Sequence, residues 1–327
     1  MDIVRVGPDS ELVEGLVAFG RAVVAVDSPW AHPATPARLR GLLAHGWDGE
    51  PPSSWVGLED GEVVAAGGLW ASSYDNLRSG WLDLAVLPGH RRRGLGSELL
   101  RHLEQEAARR GRTVLGTNFW ESEAGHSFVT AARYVQGSTS AVRRQRLDRL
   151  PEGWREQVAQ ARSGPAAAYE LVRVRGAVPE DLIEAFAELW AAINDAPNDD
   201  LVVEDEVFPV ERIRGYERAQ LPTNRLYHLI AVHRPDGQLA GHTIVAVDTE
   251  RPSLGSQHDT TVAPAHRGHR LGLVLKGEMM SWLLADEPAL REVETQNAES
   301  NAHMIAVNDA LGYEVVGRRP EYQKIVR

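Results

Sequence analysis

A fourteen-residue segment occurs twice in this 327-residue chain, and the pair constrains the fold more than any other feature. Asp83-Leu-Ala-Val86-Leu-Pro88-Gly-His90-Arg91-Arg92-Arg93-Gly94-Leu95-Gly96 is followed 176 positions later by Asp259-Thr-Thr-Val262-Ala-Pro264-Ala-His266-Arg267-Gly268-His269-Arg270-Leu271-Gly272. Seven positions match without a gap, where average composition gives about one. The chain therefore reads as a duplication. Each copy leads from a short apolar run through a turn into an amphipathic helix. Leu95, Leu99, Leu103 and Ala107 recur every four residues, and Leu271, Val274, Leu275, Met279, Trp282 and Leu283 share one face. A strand is expected next, near 112–117 and 291–296, and then a shorter helix ending at Tyr134 or Tyr313.

The halves also begin alike. Residues 2–6 and 169–174 read as strands, followed by helices around 10–26 and 179–194. Hairpins are expected where 55–58 and 62–69 flank Glu59-Asp60-Gly61, and where 226–232 and 238–247 flank Pro235-Asp236-Gly237. The order per half is β-α-α-β-β-β-α-β-α-β-β. Between the halves, 150–168 holds a short amphipathic helix (Trp154, Val158) and then Ser163-Gly164-Pro165. This predicts domains at 1–149 and 169–327 joined by a linker at 150–168.

Composition removes several classes of chemistry. Without cysteine there is no disulfide, thiolate nucleophile or cysteine-held metal, and no metal site is expected. The 46 acidic residues against 35 basic give a net charge of −11, which opposes nucleic acid and anionic membranes and favours a cationic substrate. The basic run at 143–149 is too short to reverse that. No apolar run approaches ~18 residues, as a membrane span needs. The start of the chain lacks the basic and then apolar stretches of a secretory leader, so a cytoplasmic location is expected.

The repeated turn has the make-up of an anion site. The first turn of a helix offers unpaired backbone N–H groups and the positive end of the peptide dipole. Gly94 and Gly96 allow a diphosphate close to the backbone, and Arg91, Arg92 and Arg93 supply fork-shaped donors. The G-x-x-x-x-G-K-[ST] phosphate loop is absent, and Gly94-Leu95-Gly96 lacks the third glycine of a dinucleotide loop.

Val86-x-Pro88-x-x-Arg91-x-x-Gly94-x-Gly96 resembles the acyl-CoA loop, [Q/R]-x-x-G-x-[G/A], of the GNAT N-acetyltransferase family. The order of elements in each half resembles the GNAT domain too, so the likeness covers nearly the whole chain, as in tandem GNAT proteins. The resemblance implies an α/β fold of two GNAT domains, each a mixed, mostly antiparallel sheet flanked by helices. It implies acetyl-CoA as co-substrate, held by Val86, Arg91, Arg92, Arg93, Gly94, Gly96 and Ser97 in the first domain. In the second it implies Val262, Arg267, Gly268, His269, Arg270, Gly272 and Asn301. The fourth and fifth strands would splay to admit pantetheine, and a backbone N–H near Val86 or Val262 would polarise the thioester.

The implied reaction moves an acetyl group to the primary amine of a small molecule. Asp83 and Asp259, matched on the strand before each loop, are the candidate proton acceptors, and Asn308 is a third catalytic candidate. The chain departs from the family in places. Arg270 replaces the second loop's first glycine. In the N-x-x-A-x-x-x-Y segment Asn301 and Met304 are followed by Asn308 where the family has its acidic tyrosine, and the first half has Ser122 and Val129 at the Asn and Tyr positions. The acceptor pocket is expected from 27–47 (Trp30, His32, His45) and from the acidic stretch beginning at Asp195 and running to Arg214. Two other readings stay open: an acyl-CoA-binding protein with one or both domains degenerate, or acylation of a protein amine. The oligomeric state is not readable.

Overall fold

The computed structural model describes residues 1–326. The first half runs β1 (Asp2–Val6), α1 (Val13–Asp27), α2 (Pro36–His45), β2 (Ser53–Glu59), β3 (Glu62–Trp70), β4 (Ser79–Val86), α3 (Leu95–Arg109), β5 (Val114–Asn118), α4 (Glu123–Ala131) and β6 (Val135–Arg146). The second runs α5 (Trp154–Ser163), β7 (Tyr169–Arg175), α6 (Ile183–Trp190), α7 (Val210–Gln220), β8 (Asn224–His233), β9 (Leu239–Asp248), β10 (Leu254–Val262), α8 (Leu271–Asp286), β11 (Glu292–Ala298), α9 (Ala302–Ala310) and β12 (Tyr313–Ile325). Both hairpins form; Asp60 and Gly61 take the positive φ (50° and 82°) that a tight hairpin turn demands. Each expected pair of closing strands is instead one long strand, β6 or β12.

The chain divides into two compact units whose limits differ from the boundaries expected from the repeat. One comprises residues 1–139, 198–205 and those from 318 onward; the other comprises 140–197 and 206–317. In the first unit β1 to β4 are antiparallel neighbours in chain order, β4 pairs β5 in parallel, and β12 closes the sheet antiparallel to β5, with Glu321 opposite Asn118. In the second unit β7 to β10 follow the same plan, β10 pairs β11 in parallel, and residues 140–146 of β6 run antiparallel to β11. Each half thus ends in a strand that completes the sheet of the other unit. An open edge at β5 or β11 would leave a row of unpaired backbone groups, and the closing strand that covers it comes from the other half. Periodicity cannot tell which half supplies it.

Each sheet is covered on both faces. In the first unit Leu69, Leu82, Leu99, Leu103, Leu115 and Tyr322 pack beneath α3, and Val6, Val13, Phe19 and Leu43 pack beneath α1 and α2. Burying a leucine of this kind contributes about 1.5–3 kcal/mol. In the second unit Tyr227, Val245, Leu275 and Met279 lie under α8, with Phe186, Trp190, Ile213 and Ile244 on the opposite face. The stretch expected as a linker belongs to this second core. Trp154, Val158 and Ala161 of α5 are buried in it, and a Cβ on Gly277 of α8 would lie 2.3 Å from Val158 Cγ2. Glycine at 277 is what lets the two helices approach.

Candidate functional site

The two repeated turns share one backbone. In the first, Arg92 (φ 64°) and Gly94 (φ 88°) are left-handed; in the second the same two places hold Gly268 (φ 82°) and Arg270 (φ 57°). Each turn therefore carries one glycine and one arginine at its two left-handed positions, in opposite order. Arg270 keeps the family's backbone path despite its side chain, at a cost of about 1–2 kcal/mol. Arg92 and Arg270 are exposed, and among the described residues neither forms an ion pair. Neither α3 nor α8 has a side-chain cap, and the first amides bonded back into each helix are those of Glu98 and Val274. The amides before them face outward at the positive end of the dipole. Gly94 is required for its φ, whereas Gly96 keeps a tight place open: a Cβ there would sit 3.3 Å from Phe128 Cε2. Gly272 has more room, 3.8 Å to Val307 Cγ2. Ser97 is exposed on the first turn of α3.

Not every arginine of the turns faces an anion. Arg91 donates through Nε to Val86 O (3.0 Å) and through both terminal nitrogens to Asp27 (2.8 and 2.7 Å). Arg267 repeats this with Val262 O (3.2 Å) and Asp195 (2.5 Å). Both guanidinium groups clip the end of a strand to the end of a helical segment, β4 to α1 and β10 to the helical turn that continues α6, and their charge is already matched. Arg93 pairs with Glu59 (3.0 Å), and His269 bonds Pro165 O (3.1 Å).

The strands before the turns part from their parallel neighbours. β4 pairs β5 only from Ser79–Val114 to Leu82–Thr117, yet continues to Val86 against β3. β10 pairs β11 only over Leu254–Ser256 and continues to Val262 against β9. Leu87 N–H bonds Val64 O and Ala263 N–H bonds Ala240 O (both 2.9 Å). In an antiparallel ladder that register turns the N–H of Val86 and of Val262 away from the antiparallel neighbour, into the gap. The splay and its inward N–H are present in both units.

Asp83 is the first residue past the parting of β4, and Asn118 takes the same place on β5. Gly68 lies opposite Asp83 on β3, where a Cβ would come within 2.7 Å of Asp83 Oδ1. The Asp83 side chain is reachable by solvent, yet the protein massed around it raises its pKa by desolvation, against the opposing pull of a hydrogen bond from Trp70 and the charge of Arg319. Asp259 is also pushed up by desolvation but is enclosed. Trp190 Nε1 donates to Asp259 Oδ2 (2.6 Å), and Trp190 is itself stacked on Phe208 and edge-on to Tyr216.

This arrangement has known counterparts. Residues 22–125 match the model of the acetyltransferase (GNAT) family. The whole chain superposes on a tandem GNAT protein from the clavulanic acid biosynthesis pathway, with TM-score 0.80, 28% identity, and 99% and 98% of the two chains covered. Residues 22–125 form a GNAT acetyltransferase domain, and the chain as a whole has the fold of a tandem GNAT protein. It has the tandem arrangement, a mixed and mostly antiparallel sheet flanked by helices in each unit. A GCN5-related N-acetyltransferase from Sphaerobacter thermophilus shares the fold at 17% identity (TM-score 0.72, 99% and 96% covered). No curated protein sequence matches the chain.

Measured against the GNAT pattern, the residues at the family's asparagine and tyrosine positions do structural work here. Ser122 and Asn301 are N-caps, accepting from Gly125 N–H and Met304 N–H (both 3.1 Å). Val129 is core. Asn308 is fully buried, accepting from Lys276 Nζ (2.7 Å) and donating to Asn297 Oδ1 (3.1 Å), so its amide is committed. The acidic stretch expected beside the second site divides: Asn198–Asp205 belongs to the first unit, where Val202 N–H bonds Gln323 Oε1 (2.7 Å). Trp30, from the loop after α1, meets Trp120 edge-on at 5.9 Å. Gly68, Trp70, Asn118 and Arg319 escaped the sequence reading. Gly68 and Asp83 face each other across strands, which a strand alignment of β3 with β4 would have exposed; Arg319 carried no local signal. Among the described residues no cluster of metal-ligating side chains exists, and no helix is long and apolar enough to cross a membrane.

Proposed function

We propose that the chain is an acetyl-CoA-dependent N-acetyltransferase for a small primary amine, with turnover in the first unit. The observation that carries this is Asp83: an accessible carboxylate at the parting of β4 and β5, beside an inward N–H at Val86 and ahead of an uncapped helix. The backbone of Arg92 to Ser97, with the Arg92 side chain, binds the diphosphate of acetyl-CoA, and Val86 N–H receives the developing oxyanion. Asp83 takes the proton of the alkylammonium, whose pKa near ~10 otherwise keeps it unreactive. The amine nitrogen bonds the acetyl carbon and gives up its second proton to water as the C–S bond breaks, and the departing CoA thiolate takes a proton from solvent. Val129, at the family's tyrosine position, has no proton to give in that step.

A second reading applies to the other unit: it holds acyl-CoA without turnover. The enclosure of Asp259 by Trp190 and the commitment of Asn308 favour it. Thiol release from acetyl-CoA over an amine panel tests both. Asp83→Asn should lower kcat by about 10²–10⁴-fold with acetyl-CoA affinity retained, and Asp259→Asn should leave kcat within a factor of three. Because the Asp83 pKa is raised, the acid limb of kcat/KM should lie above the ordinary carboxylate value of 3.8 and vanish in the asparagine variant. An unaffected kcat in Asp83→Asn would overturn the assignment.

A further inference from the structure

Arg319 lies on β12, two residues before Glu321, which pairs with Asn118 of β5. Side chains two apart on a strand share a face, and Asp83 and Asn118, next past the last parallel pair Leu82–Thr117, share it as well. A row thus crosses the sheet of the first unit: Gly68, Asp83, Asn118, with Arg319 at its end. Arg319 donates to Asn118 Oδ1 (2.5 Å), and its guanidinium sits 5.6 Å from the centre of the Trp120 ring. Its Nε is buried with no hydrogen-bond partner, and among the described residues it forms no ion pair. A buried guanidinium nitrogen left unpaired is costly. Asp83 and Arg319 are near enough to feel each other's charge, and both lose solvation.

We propose that Arg319 binds a carboxylate on the acceptor, so that the acceptor is an amino acid with an apolar or aromatic side chain rather than a simple amine. The inference rests on Asp83 being the amine-side group. One anionic and one cationic side chain on a single sheet face match a zwitterion in charge and order. The orphaned Nε is an unused charge-assisted donor that a carboxylate oxygen accepts. The Trp30–Trp120 pair supplies an apolar wall beside them.

The test compares matched probes that differ by the carboxylate alone: L-phenylalanine with 2-phenylethylamine, and L-leucine with 3-methylbutylamine. With the full chain and acetyl-CoA, the amino acid of each pair should exceed its amine in kcat/KM by about 10- to 100-fold, the range of a charge-assisted hydrogen-bonded pair. Arg319→Met should raise KM for the amino acid by a similar factor while kcat moves less than threefold, and Arg319→Lys should restore part of the loss. Equal or better use of the amines by the unaltered protein would overturn the proposal, and this comparison decides even if the Arg319 variants do not fold. Calorimetric titration of the same probes in the presence of CoA separates the two readings. Heat from L-phenylalanine but not from 2-phenylethylamine supports the carboxylate site even without thiol release, a result that would count against acetyl transfer alone.

Discussion

Lys276 is 3% exposed in α8, bonded to Asn308 and set 4.6 Å from the Tyr313 ring centre. Desolvation lowers its pKa to about 7. Between that value and the ordinary lysine value of 10.5 the unfolded chain holds a proton that the folded chain has released, so stability rises with pH across this window. Below it the folded state must charge a buried amine, and the contribution is lost. The expected slope is up to about 1.4 kcal/mol per pH unit. Denaturant unfolding at several pH values should show this component in the native chain and not in Lys276→Leu, which places at 276 what the first copy has at Leu100. A variant that keeps the same slope would assign it elsewhere. Gly68 yields a second expectation. Gly68→Ala should displace the Asp83 carboxylate and cut kcat about tenfold or more, since catalytic geometry tolerates little misplacement, while acetyl-CoA affinity stays within twofold.

The turns before α3 and α8 were the most legible elements, because a strand, a glycine-arginine bend and a helix leave a compositional mark over fourteen contiguous residues. Their internal exchange was not legible. Arg270 reads as a departure from the loop pattern, but the pattern is a proxy for backbone dihedrals, and Arg270 reaches the left-handed region that Gly94 occupies. Replacing Gly94 with valine forces a β-branched residue into that region. By calorimetry this should remove one acetyl-CoA site and leave the second unit's site intact. Arg270→Gly should relieve the backbone there yet weaken the second site by about tenfold, through loss of one charge-assisted contact. An unchanged second site would mean that its amides alone carry the diphosphate. Arg91 shows the opposite error. Its place in the motif suggests phosphate, and only the positions of Val86 O and Asp27 reveal a clip.

Residues 1–149 and 169–327 were readable as repeats but not as folding units, since the signal that separates them is pairing between β5 and β12 and between β11 and β6. Arg319 was hidden for the same reason: it stands 201 residues from its partner Asn118. Expressed alone, residues 1–149 should lack cooperative unfolding, with the edge of β5 that faces β12 left open and Tyr322 missing from the core. Mixing with 150–327 should restore it, as read by circular dichroism and thermal melting. A separate first half that melts as sharply as the intact chain would refute the exchange. The exchange also orders events in the cell. Domains generally fold as units during synthesis, beginning at the N-terminus, but here the sheet containing Asp83 waits for residues 318–325. The sheet around Asp83 therefore stays incomplete during synthesis until residues 318–325 have emerged, and a chain cut before them should lack that sheet's closing strand.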